Sequence, residues 1–173
     1  MPLQAYYHDN QPGDPALPHD SLQPVTMDEL TALRLKVYSF DGNYEQNGKK
    51  IAQELGFPLT EDSVVTWDFL DPSASSVNVR LSESLGRNYR TASEPYLNAN
   101  GQLKNFINVG DFLALMLVGT GYVDINDPRS QSWVRLEIPE GTMLFMPAGA
   151  LRRVFPGKTK RVIFAKVSNQ RKN

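Results

Sequence analysis

The chain has 173 residues, of which 40% are hydrophobic and 21% charged, and its formal net charge is −1. These values are typical of one globular domain with a sizeable core, and the charge gives no electrostatic reason to expect nucleic acid or an anionic membrane as a partner. Cysteine is absent, which excludes disulfides, thiolate nucleophiles and sulfur-ligated metals.

The first 25 residues are rich in proline, which fixes φ and removes a backbone donor, so they predict turns and extended loops. The opening ten residues lack the basic and apolar regions of a secretory signal. The longest apolar run, Phe112 to Val118, is too short for a bilayer, which takes about 20 residues. We therefore expect a cytoplasmic protein that does not enter a membrane.

Two helices and a strand are predicted in the next part of the chain. The T-M-D-E sequence at 26–29 is a capping box, followed by a helix from about Met27 to Arg34. Alternation predicts a strand over Leu35 to Phe40. Tyr44 to Leu55 is predicted as a second helix, and Thr60 to Leu70 fits a short helix or a strand.

The stretch from Asp71 to Asn105 is dominated by serine and asparagine and gives the weakest pattern. It is predicted to form connections and edge strands, and to be the place for a variable lid. Trp67, Tyr89 and Tyr96 are candidates for such a lid or for simple packing.

From Phe106 onward the pattern is β throughout, with short alternating segments separated by glycine and proline. The chain is therefore predicted to be one mainly β domain over 1–173. Its parts are an N-terminal region of loops and helices at 1–70, a variable connection at 71–105 and the principal β region at 106–167. The predicted strands of that last region include Tyr122 to Ile125, Trp133 to Ile138, Thr142 to Met146, Leu151 to Phe155 and Arg161 to Val167.

The stretch from Phe106 to Gly119 resembles the first signature motif of cupin barrels. That motif is H-x-H, three residues, E, six residues and G. When it ends on Gly119, the two His positions hold Phe106 and Asn108 and the Glu position holds Phe112. The spacing is kept, but the three ligand types are not.

The stretch from Gly141 to Arg152 resembles the second motif, which is G, five residues, P-x-G, two residues and H. Gly141, Pro147 and Gly149 match it, and Arg152 stands at the His position. The two stretches together resemble the frame of a cupin metal site in which all four ligands are replaced.

The N-terminal sequence A-Y-Y-H-D-N-Q-P-G-D-P-A-L-P-H-D, with G-T-G-Y-V-D-I, W-V-R and P-A-G further on, resembles the acireductone dioxygenases. These are metal-dependent cupins of methionine salvage. The resemblance covers roughly 1–55 and 106–167. It implies a cupin barrel, which is a jelly-roll or double-stranded β-helix, with two or three peripheral N-terminal helices.

Members of that family bind Fe²⁺ or Ni²⁺ through three His and one Glu and oxidise an acireductone with O₂. Phenylalanine cannot ligate, asparagine is a poor neutral ligand and arginine presents donors only. An arginine that follows the family's Glu by two residues is Ala114 here, and the sequence ends at Asn173 without the family's E-P-V-W-x-x-Y-N-R-P tail. We therefore expect the fold without the dioxygenase activity, no metal and no cofactor.

Strand alternation predicts that five side chains point into the barrel together: Phe106, Asn108, Phe112, Ala114 and Met116. One interpretation is a closed apolar core. The other is a surviving pocket for a small molecule, with Asn108 and Arg152 as its polar points. The second is preferred, because a collapsed barrel has little use for an inward arginine.

Arg152 is the principal candidate catalytic and substrate-binding residue, since an inward guanidinium could anchor a carboxylate or stabilise an oxyanion. The alternatives are an internal ion pair with Glu137 or Asp111, or a side chain that reaches solvent. Asp111 is a candidate for proton transfer if the register slips, although alternation turns it outward. Glu137 is a candidate acid or base if its face is inward.

The remaining polar candidates have weaker assignments. Tyr122, a candidate substrate-binding residue, and Arg135 occupy family-like positions that are more often structural. Arg153 is expected to point outward and to be solvated. His8 and His19, the two histidines of the chain, are expected to be turn or surface residues rather than ligands.

Three hypotheses follow. The leading one is an acireductone-dioxygenase-like cupin that binds a small organic molecule and catalyses a metal-independent isomerisation, cyclisation or proton transfer in a biosynthetic pathway. The second is a non-catalytic binding or assembly partner, with homodimer formation left open. The third is a dioxygenase with an atypical metal site made from Asp111, Asn108 and a distant His.

Overall fold

The computed structural model describes residues 3–14, 17–60, 63–68, 88–91, 105–107, 109–157 and 163–168. Within these ranges the chain forms two helices and twelve strands. The helices are α1 (Met27–Ala32) and α2 (Tyr44–Glu54). The strands are β1 (Gln4–His8), β2 (Asp20–Pro24), β3 (Lys36–Ser39), β4 (Val64–Asp68), β5 (Asn88–Thr91), β6 (Phe106–Ile107), β7 (Phe112–Val118), β8 (Gly121–Asn126), β9 (Trp133–Ile138), β10 (Thr142–Met146), β11 (Leu151–Pro156) and β12 (Ile163–Ser168).

The strands form two six-stranded sheets. The first sheet has the order β2-β1-β9-β8-β11-β6, and the second has the order β3-β10-β7-β12-β4-β5. All neighbours pair antiparallel except β4 and β5, which are parallel. The prediction of a mainly β fold is therefore confirmed. Neither helix among the described residues has the length and apolar character needed to cross a bilayer.

The two sheets enclose a common apolar interior, which we call the barrel core. Alternate residues of β7 and β10 in the second sheet meet alternate residues of β8 and β9 in the first, as the period of two in a strand requires. Its buried members are Val25, Leu30, Leu35, Phe112, Met116, Val123, Ile125, Val134, Leu136, Ile138, Leu144 and Met146.

Helix α2 covers the outer face of the second sheet. Ala52 and the following Phe57 pack with Leu113 and Leu115, which are the residues of β7 that point away from the barrel core. A Cβ atom on Gly48 would lie 2.8 Å from Leu115 Cδ2. Gly48 lowers the intrinsic stability of the helix, but it allows α2 to approach the sheet closely.

Several predicted elements are confirmed at or near their ends. The capping box is present, because the Thr26 hydroxyl accepts from the Glu29 N–H and the Glu29 carboxylate accepts from the Thr26 N–H. Strands β9 and β10 have the predicted bounds. Helix α1 ends at Ala32, two residues before its predicted end, and the ambiguous 60–70 segment contains the strand β4.

The N-terminal region differs from its prediction, because β1 and β2 form where proline content predicted loops. Strand β2 lies at the edge of the first sheet. Proline is tolerated on an edge strand because its missing N–H can face solvent, where no neighbouring strand needs the hydrogen bond. Most of 71–105, with Tyr96 and the segment of Val77 to Leu81, lies outside the described residues. Tyr89 lies in β5 and Trp67 in β4.

Candidate functional site

The inner face of β7 forms the floor of the candidate site. Phe112 and Met116 are buried in the barrel core, and the partly buried Ala114 packs against it between them. These three side chains therefore point inward, as alternation along β7 requires. The side chain of Phe106 and the whole of Asn108 lie outside the described residues, although the backbone of Phe106 pairs with Arg152 in β6 and β11.

Arg152 enters the barrel core from the first sheet. Its side chain shares a face of β11 with Val154, which packs against the core. Arg152 is 8% exposed, and its Cζ atom lies 4.6 Å from the centroid of the Phe112 ring. Burial lowers the pKa of Arg152 to about 10, because desolvation disfavours the charged form. The guanidinium is thus an inward-facing cation beside an aromatic ring.

Lys166 enters the same region from the second sheet. It lies on β12 directly opposite Ala114 of β7, so both side chains point to the same face of the sheet. The Nζ atom of Lys166 lies 4.5 Å from the centroid of the Phe112 ring. Burial first, and then the charge of Arg152, lower the pKa of Lys166 to about 8. Lys166 was not predicted from the sequence, because a single sequence does not reveal the strand pairing that sets it opposite Ala114.

Two cations and one aromatic ring therefore meet inside the barrel. Arg152 and Lys166 come from different sheets, and each is within cation–π distance of Phe112. Their mutual repulsion is felt in the lowered pKa of Lys166. A cluster of this kind can hold an anionic group, which would reduce both the repulsion and the cost of burial.

Asp111 does not lie with this cluster. Its Oδ1 atom accepts a hydrogen bond of 2.8 Å from the Ala148 N–H. This bond fastens the turn at Pro147 and Gly149 to the start of β7. The structure gives Asp111 a local structural role, on the outward side that alternation indicated.

Glu137 and Tyr122 also lie away from the cluster, on the outer face of the first sheet. Glu137 Oε1 is 2.8 Å from the Tyr6 hydroxyl, and burial followed by this hydrogen bond raises the pKa of Tyr6. The ring of Tyr122 lies 4.9 Å from Arg135 Cζ, and burial raises the pKa of Tyr122. Strand alternation turns both residues away from Arg152.

Arg153 points outward as expected, but its side chain is largely covered and not solvated. It lies over the Trp133 ring at 3.9 Å, and its Nη2 atom is 2.8 Å from Asp124 Oδ2. Asp124 also binds Arg135, which is fully buried. The outer face of the first sheet is covered because residues 9–14 and 17–19 fold over it, and the carbonyl of Leu17 accepts a hydrogen bond from Arg135 Nη1 at 2.7 Å. We call the described residues 9–14 and 17–19 the cover segment.

The two histidines meet at the base of this cover segment and are not surface residues. Their rings stack with centroids 4.8 Å apart, and His19 is buried. Burial, followed by the charge of Arg135, lowers the pKa of His8 to about 4. Asp9 lies between them in sequence and space, and the Gln11 N–H that donates to its carboxylate is the main cause of its lowered pKa.

Comparison with known proteins places these features in context. No model of a known protein family matches the chain. Among curated proteins it is 28% identical over 156 residues to acireductone dioxygenase 1 of Coprinopsis cinerea, covering 87% of this chain and 74% of that protein. It is 25% identical over 151 residues to acireductone dioxygenase of Aspergillus fumigatus, covering 87% and 72%. It is 26% identical over 156 residues to the human acireductone dioxygenase, covering 87% and 74%.

The fold has a solved counterpart. The acireductone dioxygenase of Bacillus anthracis, solved with a cadmium ion in its active center, superposes with a TM-score of 0.58 at 9% sequence identity. The superposition covers 96% of this chain and 92% of that one. The predicted cupin fold is thereby confirmed.

Proposed function

We propose that the chain is an acireductone-dioxygenase-like cupin whose barrel binds a small organic anion between Arg152 and Lys166 and acts on it by metal-independent proton transfer. The observation that carries this proposal is the convergence of two cationic side chains from opposite sheets on the ring of Phe112. Two of these three residues, Phe112 and Arg152, stand in the family's ligand frame.

The residues of this frame do not fit a divalent metal ion. A phenyl ring has no atom with a lone pair that could ligate a metal. A guanidinium presents only N–H groups, which donate hydrogen bonds and cannot ligate. The ammonium of Lys166 beside them would repel a cation further, since its Nζ lies 4.5 Å from the Phe112 centroid. This chemistry supports a reaction without the family's metal.

Arg152 would act as the anchor. Its planar fork of donors matches a carboxylate or an enolate in a bidentate contact. Because the guanidinium is buried against Phe112, it would meet the ligand in a low-dielectric environment, where such contacts are strong.

Lys166 would act as the proton acceptor. With a pKa of about 8, a useful fraction of the amine is unprotonated near neutral pH, which suits a general base. The amine would take a proton from the carbon next to a carbonyl, and the electron pair of that C–H bond would move to the carbonyl oxygen. Arg152 would stabilise the enolate, and return of the proton to another atom completes an isomerisation or precedes a ring closure.

The binding experiment compares small 2-oxo acids and 1,3-dicarbonyl compounds with their neutral amides and esters by thermal shift and calorimetry. Binding of an anionic member that is lost in Arg152→Met and only weakened in Lys166→Met would support the proposal. Lys36→Met is the matched control, because Lys36 lies over the Phe145 ring at 5.7 Å on the edge strand β3, away from Phe112. Equal binding of neutral and anionic compounds would contradict it.

The catalytic step is tested by proton exchange. Wild-type protein in deuterated buffer should exchange the acidic C–H of a bound ligand, and Lys166→Met should bind without exchange. Binding without exchange in the wild type would instead favour a non-catalytic binding role, which is the second hypothesis. We also propose that the protein serves a biosynthetic pathway in the cytoplasm. The ligand that such experiments identify would show which chemical class that pathway handles.

A further inference from the structure

A second cluster of polar side chains lies on the other side of the first sheet from the barrel core. His8 ends β1, and the cover segment starts at Asp9 and returns at His19. The Asp9 N–H donates to the His19 carbonyl at 2.8 Å, which holds the two ends of the segment together. These residues include both histidines of the chain.

The donor atoms of this cluster have the separations of a metal site. Asp9 Oδ1 lies 3.0 Å from His19 Nδ1 and 3.7 Å from His8 Nδ1. Ligand atoms of all three residues lie within 4.8 Å of one another. Atoms bound about 2.0–2.2 Å from a tetrahedral zinc ion lie roughly 3.3 Å apart. The two distances to Asp9 fall on either side of that value.

The hydrogen bonds of His19 orient it as a metal ligand would be oriented. Its Nε2 atom lies 2.9 Å from the Asp14 carbonyl oxygen, which can only accept, so Nε2 carries a proton. In a neutral ring Nδ1 is then an acceptor, and it faces the carboxylate of Asp9, which is another acceptor. Either a second ring proton or a cation must lie near these two atoms. A histidine that donates one N–H to a backbone carbonyl is the usual arrangement around a bound metal.

We propose that His8, Asp9 and His19 bind a divalent transition-metal ion of the zinc class and thereby fasten the cover segment to the first sheet. The ion takes the place of the contact between His19 Nδ1 and Asp9, and a proton on Nδ1, where present, is released to solvent. It also displaces the Asn10 N–H that donates to His8 Nδ1 at 2.9 Å. Water completes the coordination.

The choice of metal class follows from the ligands. Two imidazole nitrogens and one carboxylate suit zinc, nickel or copper, whereas calcium and magnesium take oxygen ligands. Asp9 is the most exposed of the three side chains, so an ion can reach the site from solvent. The site is separate from Arg152, and its role is structural, so it is independent of the proposed function.

The small number of histidines allows the experiment to observe each proposed imidazole ligand separately. Because His8 and His19 are its only histidines, protein freed of any affinity tag has two imidazole spin systems in a ¹H–¹⁵N spectrum. On addition of zinc chloride alone, we expect both rings to shift, and calorimetry to give one zinc per chain. We also expect the melting temperature to rise, since the ion binds the folded state.

Variants assign the site. Asp9→Asn keeps an oxygen that can accept from the Gln11 N–H and from His19, so the fold should be retained while zinc affinity falls roughly tenfold or more. His8→Gln should lower the affinity as well. Arg152→Met, which alters only the barrel core, should bind zinc as the wild type does.

Three results would overturn the proposal. They are the absence of saturable zinc binding to the wild type, binding that leaves both imidazole spectra unshifted, and binding that Asp9→Asn and His8→Gln retain in full. A circular dichroism spectrum of each variant separates lost binding from lost folding, and Asp9→Asn decides the matter if His8→Gln unfolds.

Discussion

Arg135 and Asp124 form a bidentate ion pair from which solvent is excluded. Arg135 Nε lies 2.7 Å from Asp124 Oδ1, Nη2 lies 3.0 Å from Oδ2, and both side chains are 0% exposed. The two residues face each other directly across β8 and β9. Since Arg135 also donates to the carbonyl of Leu17, the pair links the sheet to the cover segment.

Asp124→Asn should destabilise the protein strongly. The change leaves Arg135 buried without its anion and also removes the carboxylate that Arg153 binds at 2.8 Å. Removing one partner of a buried pair costs about 3–5 kcal/mol. Urea unfolding followed by tryptophan fluorescence measures the loss.

The matched control is Arg129→Met. Arg129 also pairs with an aspartate, since its Nη2 lies 3.0 Å from Asp127 Oδ2, but its side chain is 62% exposed. Asp127 is itself buried, but the variant keeps the backbone N–H of residue 129 that donates to Asp127 Oδ1. Because the lost guanidinium is exposed, this variant should unfold near the wild-type midpoint. Equal losses in both variants would mean that burial does not set the strength of the Asp124 cluster.

The contacts on the outer face of the first sheet could not be predicted from the sequence. Alternation along β11 correctly separates Arg152 from Arg153, but it says nothing about what covers either face. Arg153 was therefore expected in solvent, whereas the cover segment lies over the neighbouring Arg135 and a shared carboxylate draws Arg153 in. Contacts between the first 20 residues and a strand more than a hundred residues later leave no periodic signal in the sequence.

Gly141 and Gly149 share a motif and a backbone conformation but differ in their surroundings. Both have positive φ, +79° and +80°, in the region that L side chains rarely adopt. A Cβ on Gly141 would lie 2.9 Å from the Phe40 carbonyl oxygen and 2.6 Å from Tyr44 Cε1. Gly141→Ala should therefore destabilise by about 3 kcal/mol or more, from backbone strain and the contact with a backbone atom.

Gly149→Ala is the comparison that measures the cost of backbone strain without a steric contact. No heavy atom lies within 4 Å of a Cβ placed there, so the variant should lose only about 1–2 kcal/mol. Thermal unfolding of the two variants side by side gives the difference. A larger loss at Gly149 than at Gly141 would contradict the packing described around Phe40 and Tyr44.

Only part of the candidate site was predictable from the sequence. Strand alternation predicted that Phe112, Ala114 and Met116 point inward, and an inward Arg152 was the preferred interpretation. These side chains do meet in the barrel. Lys166 was missed because a lysine in a strand near the C-terminus normally lies in solvent. Its inward direction depends on the pairing of β12 with β7, which a single sequence does not reveal.

Lys166→Met should raise the stability of the ligand-free protein at pH 7. The pKa of Lys166 is lowered from 10.5 to about 8 in the folded state, so below pH 8 the wild type bears the cost of a partly buried ammonium. Between pH 8 and 10.5 the unfolded chain binds more protons than the folded one, and wild-type stability rises with pH. The advantage of the variant, on the order of 1–3 kcal/mol, should thus be full below pH 8 and vanish near pH 10.5.

Denaturant unfolding of both proteins at pH 6.5, 7.5, 9 and 10 would follow this change, with Lys36→Met as the exposed control. An advantage that grows with pH would mean that the ammonium is stabilised in the fold, and Lys166 could not then act as a base near neutral pH.

Arg152→Met separates binding from stability. Asp111 and Glu137, the two carboxylates considered as partners of Arg152, are engaged by the Ala148 N–H and the Tyr6 hydroxyl. The proposed function makes the ligand an anion that Arg152 binds, so the variant should lose the anionic ligand while it keeps the fold. The pKa of Lys166 should rise, because the charge of Arg152 lowers it, and a ¹³C titration of the lysine Cε would record the shift. A loss of about 3–5 kcal/mol would instead mean that the change strands a buried carboxylate, and Arg152 would then be a structural residue of the barrel core.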